Sequence, residues 1–267
     1  MSEIHPTAWV APTAQLGEGT SLGPFAVVEE NVVLGEGNQI GPYVMIHGGT
    51  TLGSNNVIHA GAVLGGDAQD KKGGKGEGKL FVGDHNVIGE YVTFHRGTEH
   101  GGGITRIGSN GIFQTFAHVG HDTEIRDHVT LGPLTAVAGH VLLETGVRTG
   151  AHVGIHQFVR MGSWSEGKAF SGHTRDIPPF CVATGNPSDR LCLREDLGDA
   201  LKLDARRTAL LEKAFQIMTE TKKFADMVEA LEGLEKAEEI GLLLAFLREE
   251  GHRFPERRRG ILRRAVA

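Results

Sequence analysis

The chain has 267 residues and a formal net charge of −6, from 27 Lys and Arg against 33 Asp and Glu, which argues against nucleic acid as a partner. Its two cysteines, Cys181 and Cys192, support neither a disulfide framework nor a paired-cysteine metal site. The opening MSEIHPTAWV has no basic flank and no apolar stretch of signal-peptide type, and the longest apolar run, near Ile240 to Leu247, is too short to span a bilayer; a cytoplasmic location is expected.

Glycine is abundant at 39 residues and aromatics are scarce at 6%, so the chain needs tight corners and has little room for rings. The reason is an internal repeat. Every sixth residue from the start is aliphatic: Ile4, Val10, Leu16, Leu22, Val28, Leu34, Ile40, Ile46, Leu52, Ile58 and Leu64. The register resumes at Val82, Ile88 and Phe94. It then runs from Ile107 through Phe113, Val119, Ile125, Leu131, Val137 and Leu143 to Ile155 and Met161, with Thr149 as the exception. Neither helical periodicity nor strand alternation selects one residue in six. A six-residue unit suits a short strand and a turn. Three units close a triangular coil, and coils stack at about 4.8 Å with the aliphatic side chains on the axis. A mainly β fold, a parallel β-helix over residues 1–187, is the expectation. Two glycine-rich polar segments interrupt it, 66–80 and 95–106, and insertions in solenoids become loops on one face.

Beyond Asn186-Pro187 the pattern changes. Leu203, Leu210, Leu211, Ala214 and Met218 fall on one helical stripe behind Asp204, a candidate N-cap. One or two more helices follow and end near Gly251, so residues 188–267 read as a small α-helical domain. The tail RFPERRRGILRR is a basic patch, either a solvated charge run or a dock for an acidic partner.

Half of the fourteen histidines lie between His118 and His173. Axis positions are apolar, so these side chains are expected on or near the outer walls. With no break in register after Ile107, His121, Gly139 and Gln157 stack in one column, and Asp122, His140 and Phe158 in the next. The spacing His118-x-x-His121 permits metal ligation, and scattered surface histidines are a further alternative. The favoured reading is a general base, since imidazole accepts a proton near neutral pH and a carboxylate orients it. Gly139, one coil along, offers a backbone N–H as oxyanion donor. Base and oxyanion donor without a nucleophilic side chain imply direct attack of a hydroxyl or amine on a thioester.

The strings AQDKK, TFHRGT, AHVGHD, AVAGHV, IHQF, DIPPF and ATGNP, together with the hexads and the helical tail, resemble the UDP-N-acetylglucosamine O-acyltransferases of lipid A biosynthesis over nearly the whole chain. The resemblance implies a left-handed coil and a homotrimer with sites between neighbouring prisms. It implies transfer of an (R)-3-hydroxyacyl group from acyl carrier protein to the glucosamine 3-hydroxyl, without a cofactor. It makes His121 the base, Asp122 its supporting carboxylate and Gly139 the oxyanion donor. Gln69, Asp70 and Lys72 would contact the nucleotide sugar. His95, His118, His140, His156 and Gln157 would line the cleft, and the acyl-length ruler falls on Ala169. After GNP this chain departs from the family: a gapless count puts Arg194 in an asparagine slot, Asp196 in an acidic slot, and Asp199, Ala200 and Leu201 where the family has a basic run. Alternatives are the same chemistry on a 3-amino sugar nucleotide, a metal hydratase of the carbonic anhydrase kind, and a non-catalytic scaffold.

Overall fold

The computed structural model describes residues 3–71, 78–248, 250 and 260–262. Lys72 and the tail residues Arg253, Arg257, Arg258, Arg259, Arg263 and Arg264 lie outside the described residues. Each hexad folds as a two-residue strand and a turn, as in Val27–Val28, Val33–Leu34 and Gln39–Ile40. The chain closes a triangle every three strands, which places them in three sheets of nine, eight and ten members. Pairing within the prism is parallel, and Val28, Ile46 and Leu64 stack directly; the register shifts once, between Leu64 and Gly66 against Phe94 and His95. Where the first insertion intervenes, Val63 pairs with Thr93; where the second does, Val87 pairs with Ile112.

The axis is the core. Val28, Ile46, Leu64, Phe94, Val119 and Val137 are completely buried, each stabilising the coil by about 1.5–3 kcal/mol. Ile4 is 46% exposed, because no coil covers the first one. Corner residues are held in the left-handed region even where they are not glycine: Asp122 has φ 59°, His140 64° and Phe158 65°. Beside the aliphatic stack runs a ladder of buried amides. Asn56 Nδ2 donates to Asn38 Oδ1 at 3.0 Å, and Asn86 Nδ2 to Asn56 Oδ1 at 3.0 Å.

One histidine breaks the rule that axis positions are apolar. His173 continues the column of Ile155 and is 1% exposed, inside the prism rather than on a wall. Gly167 makes the room: a Cβ there would lie 2.4 Å from His173 Nε2. Ser171 Oγ sits 3.0 Å from that nitrogen. Burial lowers the His173 pKa to about 4, so the ring is neutral.

The sheet continues past Pro187. Cys181–Gly185 pairs parallel with Glu166–Gly167 and folds back on Ser188–Leu193 as an antiparallel hairpin. Helices begin only at Leu197: α1 (Leu197–Leu201), α2 (Ala205–Glu220), α3 (Phe224–Glu232) and α4 (Glu238–Leu247). Asp204 caps α2 by accepting from Arg207 N at 2.8 Å, and Leu211, Ala214 and Met218 form its buried stripe. A buried pair ties helices to prism: Arg160 Nε donates to Glu144 Oε1 at 2.6 Å, while its guanidinium lies 4.6 Å from the Phe246 ring centre. Among the described residues no helix is long and apolar enough to cross a membrane.

Candidate active site

A groove of about 460 Å³ runs down the nine-stranded wall, and His121, Gly139, His118, His156, Gln157 and Gln69 all line it. His121 and Asp122 occupy the corner after the strand His118–Val119. Asp122 holds a left-handed φ at this corner, and its carboxylate is wholly buried against Thr98 and Gly101 of the second insertion. Its oxygens accept three hydrogen bonds: from Thr98 N at 2.9 Å, from Thr98 Oγ1 at 2.6 Å and from His121 Nδ1 at 2.8 Å. Burial alone would raise the pKa of this carboxyl. The bonds from His121 and Thr98 outweigh it and hold the pKa below the ordinary aspartate value.

An ionised carboxylate only accepts, so the proton between the two residues belongs to His121 Nδ1. The free lone pair is then on Nε2. That atom lies directly over Gly139: a Cβ at 139 would be 2.6 Å from His121 Nε2 and 2.6 Å from Cε1. The Gly139 N–H donates to no acceptor among the described residues, whereas its neighbours Ala138 and His140 bond to Ile155 O and His121 O. A lone-pair nitrogen and an uncommitted amide therefore face one space.

The other expected residues surround this pair. His140 meets the His121 ring edge-on at 5.0 Å and stacks on Phe158 at 4.6 Å. His118 Nδ1 is 2.8 Å from Thr93 Oγ1, and burial, helped by His95 and His121, lowers its pKa to about 4. His95 packs edge-on against His118 and bonds to Asp67 O, the first residue beyond Gly66 in the first insertion. Gln69 reaches the groove, and Asp70 is half-buried beside it.

Two expected regions sit apart from the groove lining. Ala169 is exposed and lies over Gly150, whose Cβ would be 2.6 Å from Ala169 N. Arg194 and Asp196 pair with each other at 2.6 Å, and Arg148 Nη1 donates to Asp196 Oδ2 at 2.6 Å. Arg148 Nε also donates to Glu166 Oε2 at 2.6 Å, in the ten-stranded sheet. The two arginines hold the Asp196 carboxyl well below its ordinary range.

Thr98 and Arg148 were not anticipated from sequence. Thr98 is the last residue of HRGT, and Arg148 stands one coil before Glu166, an opposite charge in the same column.

His121, Asp122 and His140 place ligand atoms within 4.8 Å of one another, the one such group among the described residues. The donor set does not suit a cation. The Asp122 oxygens are filled by three donors, and His121 Nδ1 is turned to Asp122 instead of outward.

Residues 31–66 match the family model described as bacterial transferase hexapeptide (six repeats). An acyl-[acyl-carrier-protein]–UDP-N-acetylglucosamine O-acyltransferase of Paraburkholderia phymatum is 43% identical over 189 residues, 71% of this chain and 72% of that one. The chain belongs to this acyltransferase family. The enzyme of that name from Anaeromyxobacter dehalogenans is 40% identical over 68% of this chain and 71% of its own. The crystal structure of UDP-N-acetylglucosamine O-acyltransferase from Moraxella catarrhalis superposes with a TM-score of 0.91 at 29% identity, covering 97% of this chain and 99% of that one. The family's architecture, a left-handed parallel β-helix with a small helical C-terminal part, is the fold of this chain.

Proposed function

We propose that this chain transfers an (R)-3-hydroxyacyl group from acyl carrier protein to the 3-hydroxyl of UDP-N-acetylglucosamine, the first step of lipid A biosynthesis, with His121 as general base. Membership of the family supports the reaction. The observation that carries the mechanism is the His121 ring lying on Gly139 while its Nδ1 is held by Asp122.

The sugar hydroxyl attacks the thioester carbonyl carbon as His121 Nε2 removes its proton. The carbonyl oxygen becomes an oxyanion facing the Gly139 N–H, a contact worth about 3–4 kcal/mol in comparable sites. Collapse re-forms the carbonyl, breaks the carbon–sulfur bond and returns the proton from imidazolium to the departing thiolate. Asp122 keeps the ring oriented and stabilises its charged form. His118 stays neutral, so it adds no positive charge that would resist imidazolium formation.

The working unit is a homotrimer in the cytoplasm. A corner column of exposed apolar residues, Phe25, Tyr43, Tyr91, Phe116, Leu134 and Phe170, supports association of identical chains. Phe25 stacks on Tyr43 and Tyr91 on Phe116, both at 5.2 Å. The acyl carrier protein, an acidic donor, docks near the groove, and Gln69 and Asp70 contact the nucleotide sugar.

The test is an acyl-transfer assay on purified protein, crossing hydroxyacyl carrier-protein thioesters with UDP-N-acetylglucosamine and its 3-amino analogue. His121→Ala is expected to abolish turnover with the fold intact. Unchanged turnover in His121→Ala would refute the base assignment.

A further inference from the structure

We propose that the ion pair between Arg96 and Asp67 is a positioning pair for the sugar nucleotide. It anchors the first insertion where the chain leaves the prism, and so sets Gln69 and Asp70 for the substrate. Because it takes Gln69 and Asp70 as contacts of the nucleotide sugar, it rests on the acyl-transfer reading above.

The insertion leaves the coil through a sharp bend. Leu64 pairs with Phe94, the register then shifts, and Gly66 stands opposite His95. Gly65 makes the bend at φ 79°, and a Cβ there would lie 2.1 Å from Thr50 Oγ1, so a larger residue is excluded. Residues 67–70 then belong to no strand or helix, and no ladder fixes them.

Three consecutive residues of the HRGT run hold both ends of the insertion. His95 Nδ1 donates to Asp67 O at 2.5 Å. Arg96 N donates to Gly66 O at 3.0 Å, and its guanidinium pairs with the Asp67 carboxylate. Gly97 N donates to Lys79 O at 3.2 Å, where the chain returns to the prism. Of these contacts the Arg96–Asp67 pair is the one made by two side chains. It lies two residues before Gln69, which lines the groove, and three before Asp70. Ordering the segment in advance spares the substrate that entropic cost on binding.

Thr98, the next residue, serves the base instead. It holds Asp122 through its own N–H at 2.9 Å and its hydroxyl at 2.6 Å. Removing the Arg96 guanidinium leaves both bonds in place. The pair therefore acts on sugar binding and not on the chemical step.

The side chains are 22% and 52% exposed, and a pair in that setting is worth up to about fivefold in binding. The experiment compares Arg96→Gln, Asp67→Asn and the double variant with the parent protein. Each single variant is expected to raise KM for UDP-N-acetylglucosamine about three- to fivefold. The double variant should raise it no further, because either change alone breaks the pair. Both kcat and KM for the acyl carrier protein should stay within about twofold of the parent. The proposal is overturned by a parental KM in both single variants, by full additivity in the double variant, or by a fall in kcat at unchanged KM. Calorimetric titration with UDP-N-acetylglucosamine reads the same weakening without turnover. A parent protein that binds the sugar nucleotide yet transfers no acyl group refutes the acyl-transfer reading, while the ratio of dissociation constants still decides the role of the pair. A parent that does not bind the sugar nucleotide refutes both.

Discussion

Replacing Asp122 by Asn changes one oxygen to an amino group and redirects the proton of the base. The Asp122 carboxylate now accepts from Thr98 N at 2.9 Å, Thr98 Oγ1 at 2.6 Å and His121 Nδ1 at 2.8 Å. The Thr98 N–H can only donate, so it claims the single oxygen of the amide. The amide NH₂ then faces His121 Nδ1, which must become the acceptor. The ring proton moves to Nε2, the atom over Gly139, and Nε2 can no longer take a proton from the sugar hydroxyl. Asn is isosteric with Asp, so the fold and the ground-state contacts persist. The expected result is a fall in kcat of about 10²–10⁴, the full contribution of a positioned base, with little change in KM. Steady-state transfer kinetics on the purified variant measure it, with circular dichroism to confirm folding. A variant that keeps more than about a tenth of the parental kcat would refute the proton assignment and the general-base reading built on it.

Stability should fall with acid because of His173. Its folded pKa of about 4 lies below the unfolded value near 6.5, so between those values the unfolded chain binds a proton that the prism refuses, costing about 3 kcal/mol by pH 4; urea titrations should show this, and His173→Leu should flatten the slope. Arg160→Ala leaves Glu144 buried and short of a partner and should cost about 3–5 kcal/mol in urea unfolding. Exhaustive dialysis against a chelator should leave kcat unchanged; loss of activity restored by zinc would favour metal chemistry at His121, Asp122 and His140.

The prism was readable because its period is strict. Counting by sixes places the axis, and counting by eighteens puts Gly139 beneath His121 without any knowledge of contacts. The same counting fails wherever the period breaks. Thr98 lies in the second insertion, whose irregular length hides its approach to Asp122 across 24 positions. His173 was misplaced because an apolar axis was assumed. The clue was Gly167, an axis position emptied six residues before a ring that needed the volume. Arg194 and Asp196 were aligned to slots by a gapless count, which says nothing of the hairpin Ser188–Leu193 or of Arg148 one wall strand away.

Two glycines confine the catalytic pair from opposite sides, and they should fail in different ways. A Cβ on Gly139 would lie 2.6 Å from His121 Nε2. Gly139→Ala therefore pushes the ring off the amide while Nδ1 stays bonded to Asp122, so the imidazole keeps its tautomer and loses its aim. A Cβ on Gly101 would lie 2.1 Å from Asp122 Cγ. Gly101→Ala displaces the carboxylate instead, leaving the ring over Gly139 with no group to fix its proton. Both are expected to lower kcat by about 10²–10³. Gly101→Ala acts through the same carboxylate contact as Asp122→Asn, so the two losses should not add in the double variant, whereas Gly139→Ala acts through the amide and should add to Asp122→Asn. Full additivity of Gly101→Ala with Asp122→Asn would mean that Asp122 holds the corner of the coil and does not orient the imidazole.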